Sequence, residues 1–211
     1  MSKVSEPALP GLIGELFLDV DDAMSRQTQA DTPVNRRGLV RTLIAAVEGL
    51  AWLYREDVMA AAETMGLISE NERRALSETT YFVSEDGKIS EQRRFISTTA
   101  MVRLTARLAA KCALGDQPNF GVEGWANLKQ TIQLRNRITH PKAVTDLTVS
   151  AEDITRARSA FFWFSELMVS EMARTNDTLR DYSKRLGDVI RLLEVGDEAA
   201  LTLYRRLQEG D

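Results

Sequence analysis

One histidine and one cysteine set the limits of any chemistry in this chain. A mechanism that needs an imidazole must use His140, which lies in the run Leu134-Arg135-Asn136-Arg137-Ile138-Thr139-His140-Pro141-Lys142. The lone Cys112 excludes an internal disulfide. With a single histidine it also excludes every His/Cys-rich metal site, so only carboxylates could hold a metal. Cys112 stands beside Ala109, Ala110 and Ala113, a setting that reads as core rather than as a nucleophile. The acidic group Asp19, Asp21 and Asp22 reads as a solvated helix face, and there is no glycine-rich phosphate loop. Trp52, Trp125 and Trp163 lack the basic-aromatic interleaving of single-strand binders and read as packing. The site is expected to work with neither metal nor cofactor.

The charge around His140 is lopsided. The 211 residues carry 27 Lys and Arg against 31 Asp and Glu, a formal net charge of −4. Yet no acidic residue falls between Glu123 and Asp146, while Lys129, Arg135, Arg137 and Lys142 supply four cations. Such a chain is no general nucleic-acid coat, but it can bind phosphate at that one place. Arg135 offers a planar fork of donors matched to phosphate oxygens. An imidazole, with an unperturbed pKa of ~6.5, can give or take a proton at neutral pH. Residues five apart on a helix lie roughly 140° apart around its axis. The residue before a proline is driven out of the α region, so His140 can leave the helical path and turn back towards Arg135. Such a corner can hold a permanent cation and a titratable base against one anionic group.

Arg135-Asn136, three intervening residues, then His140 before Pro141 resemble the Arg-polar-x3-His motif of the HEPN superfamily. The order of elements is similar in outline: a long helix near the N-terminus, the motif at the end of a later helix, then a capped loop and another helix. The resemblance implies a helical bundle that dimerises with its motifs facing each other. It implies a metal-independent endoribonuclease of a toxin–antitoxin or other defence system, restrained by an antitoxin or regulatory protein. The implied cleavage runs through the RNA's own 2′-hydroxyl, which needs a base, an acid and a cation for the charge growing on phosphorus. Arg135 and His140 would be catalytic, with Asn136 the polar residue beside the arginine. Arg137, Lys142 and Lys129 are the cations expected to contact RNA. The alternative is a non-catalytic HEPN-like module that binds a protein or nucleotide partner.

Glu48 is the other residue to single out. It stands within Leu43-Ile44-Ala45-Ala46-Val47-Glu48-Gly49-Leu50-Ala51-Trp52, a run too apolar for a wet face. Either it lies at the edge of the apolar stripe and reaches water, or it is a partly buried carboxylate that needs Arg135 or Arg137 as its cation.

The elements that must position these groups read as helices almost throughout. A first helix is expected over about Gly11 to Gln27. Thr32 and Pro33 open a second as N-cap and first helical residue. Its stripe of Leu39, Leu43, Val47, Leu50 and Tyr54 recurs every three or four residues, and Gly66 ends it. Ser69 and Glu72 form a capping box for a third helix reaching about Tyr81. Around Asp86-Gly87 a loop is preferred to a small hairpin. A fourth helix runs from near Ser90 to Gly115 with Phe95, Val102, Ala106, Ala109 and Ala113 on one face. After a linker to Gly124, a fifth runs from Trp125 to Thr139. Ser150 and Asp153 cap a sixth to about Met172, with a break at Asn176 and Asp177. Leu179, Tyr182, Leu186, Val189 and Leu193 mark a seventh, and a short last helix ends at Gln208.

The expected fold is an all-α, HEPN-like bundle of about six to eight helices, one helical domain over residues 1–211. Residues 1–10 are expected to be a flexible N-terminus and 177–211 helices appended to the core. The consecutive Phe161, Phe162, Trp163 and Phe164 sweep most of a helix circumference at ~100° per residue. They are expected to be enclosed on nearly all sides, by the bundle or by a second subunit. A symmetric contact there would bring two copies of His140 to one cleft, so a homodimer is expected. No window approaches the ~18 uninterrupted apolar residues of a membrane span. Glu15 and Asp19 interrupt the apolar stretch near the N-terminus, and no basic leader precedes it. The expected location is cytoplasmic.

Overall fold

A computed structural model describes residues 9–209. In chain order they form α1 (Leu9–Gln29), α2 (Pro33–Thr64), α3 (Glu70–Leu76), β1 (Thr79–Val83), β2 (Ile89–Arg93), α4 (Thr98–Cys112), α5 (Glu123–Thr139), a 3-10 turn (Val144–Leu147), α6 (Ala151–Glu194) and α7 (Glu198–Glu209). The chain is an all-α bundle with one small hairpin. Of the expected flexible N-terminus, residues 1–8 lie outside the described residues. Leu9 and Pro10 already belong to α1.

Local chemistry explains most helix ends. The Thr32 hydroxyl accepts from the Asn35 N–H, and Pro33, which has no N–H to leave unpaired, occupies the first turn of α2. Gly66 follows α2 with φ +67°, a conformation open to glycine at little cost. Capping boxes start α3 at Ser69 with Glu72 and α6 at Ser150 with Asp153. α2 is the central element and packs against α1, α4, α5 and α6. Leu39, Leu43, Val47, Leu50 and Tyr54 are all essentially inaccessible there. Burial pushes the Tyr54 phenol and the Cys112 thiol up, so neither ionises readily.

Three expectations about the elements are corrected. First, α3 stops at Leu76, and residues expected to be helix or loop form a hairpin. Thr79 pairs with Arg93 and Val83 with Ile89, around a turn in which Gly87 has φ +77°. The β-branched and aromatic run Thr79-Thr80-Tyr81-Phe82-Val83 suits a strand more than the helical alternative. α4 therefore begins at Thr98, capped by the Ser97 hydroxyl, and Phe95 is left outside it, 76% exposed. Second, α6 does not break near Asn176. It runs unbroken for 44 residues, about 66 Å, from Ala151 to Glu194. The Asn176 amide donates to Asp57 on α2 and Asp177 pairs with Arg180, so the residues that resembled a cap are spent on helix side-chain contacts. The expected seventh stripe is the distal part of α6, where Tyr182, Leu186 and Val189 are exposed. Third, the bundle by itself does not enclose the aromatic quartet on all sides, which leaves any further enclosure to a second subunit. Phe161 and Phe164 are buried, Trp163 is half-buried, and Phe162 is 56% exposed. Trp52 is likewise exposed rather than packed inside, with the Arg55 guanidinium 5.9 Å from its ring centre. Among the described residues no helix is long and apolar enough to cross a membrane.

Candidate functional site

α5 carries the motif, and its apolar face sets where the motif points. Trp125, Leu128, Thr131, Leu134 and Ile138 are buried at steps of three or four, and the helix packs against α6 and α2. At its start Gly124 lets the Trp163 indole lie directly against the α5 backbone. A β-carbon there would clash with the indole, whose Cγ, Cδ1 and Cδ2 would all lie closer than any van der Waals contact allows. Gly124→Ala should therefore force Trp163 or α5 to move, at about 1–3 kcal/mol. Chemical denaturation measures that cost, and an unchanged midpoint would contradict the packing.

α5 ends at Thr139, and His140 is its C-cap. The His140 N–H donates to the Asn136 carbonyl at 3.0 Å, while φ −122° and ψ 59° take the residue out of the helix, as Pro141 demands. The His140 and Asn136 side chains are exposed.

The last turn of α5 and the loop beyond Pro141 are held by arginines. From α2, Arg41 donates to the Ile138 carbonyl at 2.7 Å, Arg37 to Leu147 at 3.3 Å and Arg36 to Val149 at 3.1 Å. Arg36 also pairs with Asp31. Arg137 reaches from α5 to the carbonyls of Thr145 and Thr148, at 3.3 and 3.0 Å. Asp146 completes the frame by accepting from the N–H groups of Lys142 and Ala143. Those two bonds hold its carboxyl below the usual range. Because the folded-state pKa is depressed, this support is fully present above the ordinary Asp pKa of ~3.9. It fades as pH falls through the lowered value.

Sequence reading did not find Arg36, Arg37 and Arg41. A signal was present. Arg36 and Arg37 sit in the first two turns of α2, where the helix dipole disfavours cations. Their compensation is carbonyl oxygen from a segment more than a hundred residues away.

Arg135 points elsewhere. Its Nη2 donates to the Glu48 carboxylate, which also accepts from the Thr98 hydroxyl at 3.5 Å. The Glu48 side chain is 41% exposed, so it both reaches water and holds a cation. That cation is Arg135, not Arg137. A partly exposed pair of this kind contributes little, and Glu48→Ala should cost about 1 kcal/mol or less. A loss of ~3–5 kcal/mol, the range for a broken buried pair, would mean that water does not reach Glu48.

The remaining expected residues divide. Lys142 is exposed in the loop beside His140. Arg137 already spends two donors on loop carbonyls. Lys129 lies about 9 Å before Arg135 along α5 and lines a shallow groove with Thr99, Ala100, Arg103 and Trp125. Asp19 and Asp22 line a different depression with Arg26, which pairs with Asp22. Among the described residues, no three His, Cys, Asp or Glu side chains are grouped so as to hold a metal.

Family models, curated proteins and solved structures give no match to this chain. The site therefore rests on its own geometry. An arginine is oriented by a carboxylate, and an exposed imidazole caps the same helix end, where four more arginines brace the last turn and the loop that follows.

Proposed function

We propose that the chain is a metal-independent endoribonuclease of HEPN type, a toxin or defence component that cleaves RNA through the 2′-hydroxyl. The observation that carries this reading is the α5 corner. Pro141 releases the exposed His140 from the helix, while Glu48 orients Arg135 one and a half turns earlier. In this mechanism His140 takes the 2′-hydroxyl proton or gives one to the leaving 5′-oxygen. The Arg135 guanidinium stabilises charge on the phosphoryl oxygens as it develops. Its Nε–H is buried without a partner among the described residues. Lys142 adds positive potential at the same end of α5.

One imidazole cannot be base and acid at once, so the proposal includes a homodimer that brings two motifs into one cleft. Exposed apolar side chains support a symmetric contact. Phe162 on α6 and Phe17 on α1 both pack on the buried Phe161 ring while remaining exposed, and Leu18 is 63% exposed beside Phe17. A cytoplasmic setting and a restraining protein partner belong to the same reading.

A second reading has one observation in its favour. Arg135 is already paired with Glu48, which weakens its hold on an added anion. That suits a non-catalytic module using the scaffold to bind a protein or nucleotide. Purified protein incubated with mixed single-stranded RNAs in EDTA decides between them. The nuclease reading expects products ending in 2′,3′-cyclic phosphate and 5′-hydroxyl, with DNA left intact. RNA that survives undegraded would leave the binding module.

A further inference from the structure

The two longest stretches of this acidic chain without a carboxylate are both rich in cations. The first is the motif region. The second runs from Gln92 to Gly115 and carries Arg93, Arg94, Arg103, Arg107 and Lys111. The fold brings cations from both together. Arg103 and Lys129 line one groove, and Arg103 and Arg107 line its continuation towards Phe120. Lys111 is taken by Glu72, but among the described residues neither Arg103 nor Arg107 is paired with a carboxylate. Arg103 is instead held over two rings, its Cζ 5.2 Å from the Phe120 centroid and 5.3 Å from that of Trp125. Stacking of this kind fixes a guanidinium without neutralising it. Arg107 follows one turn later, about 6 Å along α4. At its other end the groove is lined by Thr99, next in the chain to Thr98, whose hydroxyl donates to the carboxylate that holds Arg135.

We infer that this α4–α5 groove binds the phosphate backbone of single-stranded RNA and leads the strand to Arg135 and His140. The inference deepens the nuclease reading and rests on it for the identity of the ligand. A line of unpaired cations along a shallow groove fits a polyanion better than a compact small molecule. Guanidinium planes backed by aromatic rings also offer surfaces on which unpaired bases stack. A polymer laid there would arrive at the catalytic corner, which an acidic protein partner has no need to do.

The test uses the full chain carrying His140→Ala, so that RNA is not consumed, and a fluorescent single-stranded RNA of about 20 nucleotides. Affinity is followed by anisotropy against salt. Adding Arg103→Gln and Arg107→Gln together should weaken binding on the order of tenfold at low salt. The slope of log affinity against log salt should fall by about 1.4, at ~0.7 per lost phosphate contact on a single strand. Arg180→Gln with Arg191→Gln, the same charge change on distal α6, should leave both unchanged. Circular dichroism confirms that each variant is folded.

The groove assignment is overturned if the wild-type groove binds no RNA, or if the Arg103/Arg107 variant keeps its affinity and slope. It is also overturned if an acidic peptide of matched charge binds as tightly as RNA, which would assign the groove to a protein partner. The two readings fail separately. RNA held in the groove but never cut by the His140-containing chain removes the nuclease and keeps the groove. RNA cut at unchanged KM by an Arg103→Gln/Arg107→Gln chain with His140 intact removes the groove and keeps the nuclease.

Discussion

His140→Ala is expected to lower RNA cleavage by about 10²–10⁴-fold while the protein stays folded. The side chain is exposed at the end of α5, so its removal leaves no cavity. The contact that closes the helix is made by its backbone N–H, which alanine retains. A folded and inert variant is therefore the specific expectation, separable from a destabilised one by its melting curve. Arg135→Lys should also be impaired, because a point charge cannot hold Glu48 and a phosphate oxygen with one planar fork. Glu48→Ala probes the same unit from the other side. It should leave stability almost unchanged yet reduce the rate by freeing the guanidinium to wander. If His140→Ala cuts RNA as fast as the native chain, the nuclease reading is wrong whatever the other variants do.

The second large effect concerns the aromatic quartet on α6. Phe164→Ala should destabilise the fold by about 3–5 kcal/mol, since it empties a fully buried site. Phe162→Ala, two residues away, should change the unfolding free energy of a single chain by under about 0.5 kcal/mol, because that ring faces solvent. In the proposed dimer the order of effects reverses for association. Phe162→Ala should raise the dissociation constant on the order of tenfold, a loss of about 1.4 kcal/mol. Analytical ultracentrifugation across micromolar concentrations reads this directly. A native chain that sediments only as a monomer there would remove the dimer, and with it the two-histidine mechanism.

Much of this molecule was legible from residues alone, and where it was, the cause is short range. Thr32 with Pro33, Ser69 with Glu72 and Ser150 with Asp153 cap helices through contacts spanning three residues or fewer. The α2 stripe from Leu39 to Tyr54 is one face of a 3.6-residue repeat and had to be buried. The end of α5 followed from Pro141, and the restriction to one imidazole from counting. Where local signals competed, tertiary structure decided. Residues 79–93 hold both helix-forming and strand-forming side chains, and the strand wins only by finding its partner across a turn. Asn176 resembles a cap until α2 brings Asp57 within reach, after which helix propagation continues at no loss.

The site shows the same division. Arg135 and His140 were visible as a spacing, but the bracing of their loop by Arg36, Arg37 and Arg41 was not, because it joins α2 to carbonyls about a hundred residues later. The partner of Glu48 is the clearest instance. Arg135 and Arg137 are equal in chemistry and two positions apart, so on a helix they point roughly 200° from one another. Sequence could state that a cation was needed. Only the rotation of α5 about its axis, set by burying Leu134 and Ile138, could turn Arg135 towards Glu48 and leave Arg137 to hold the loop.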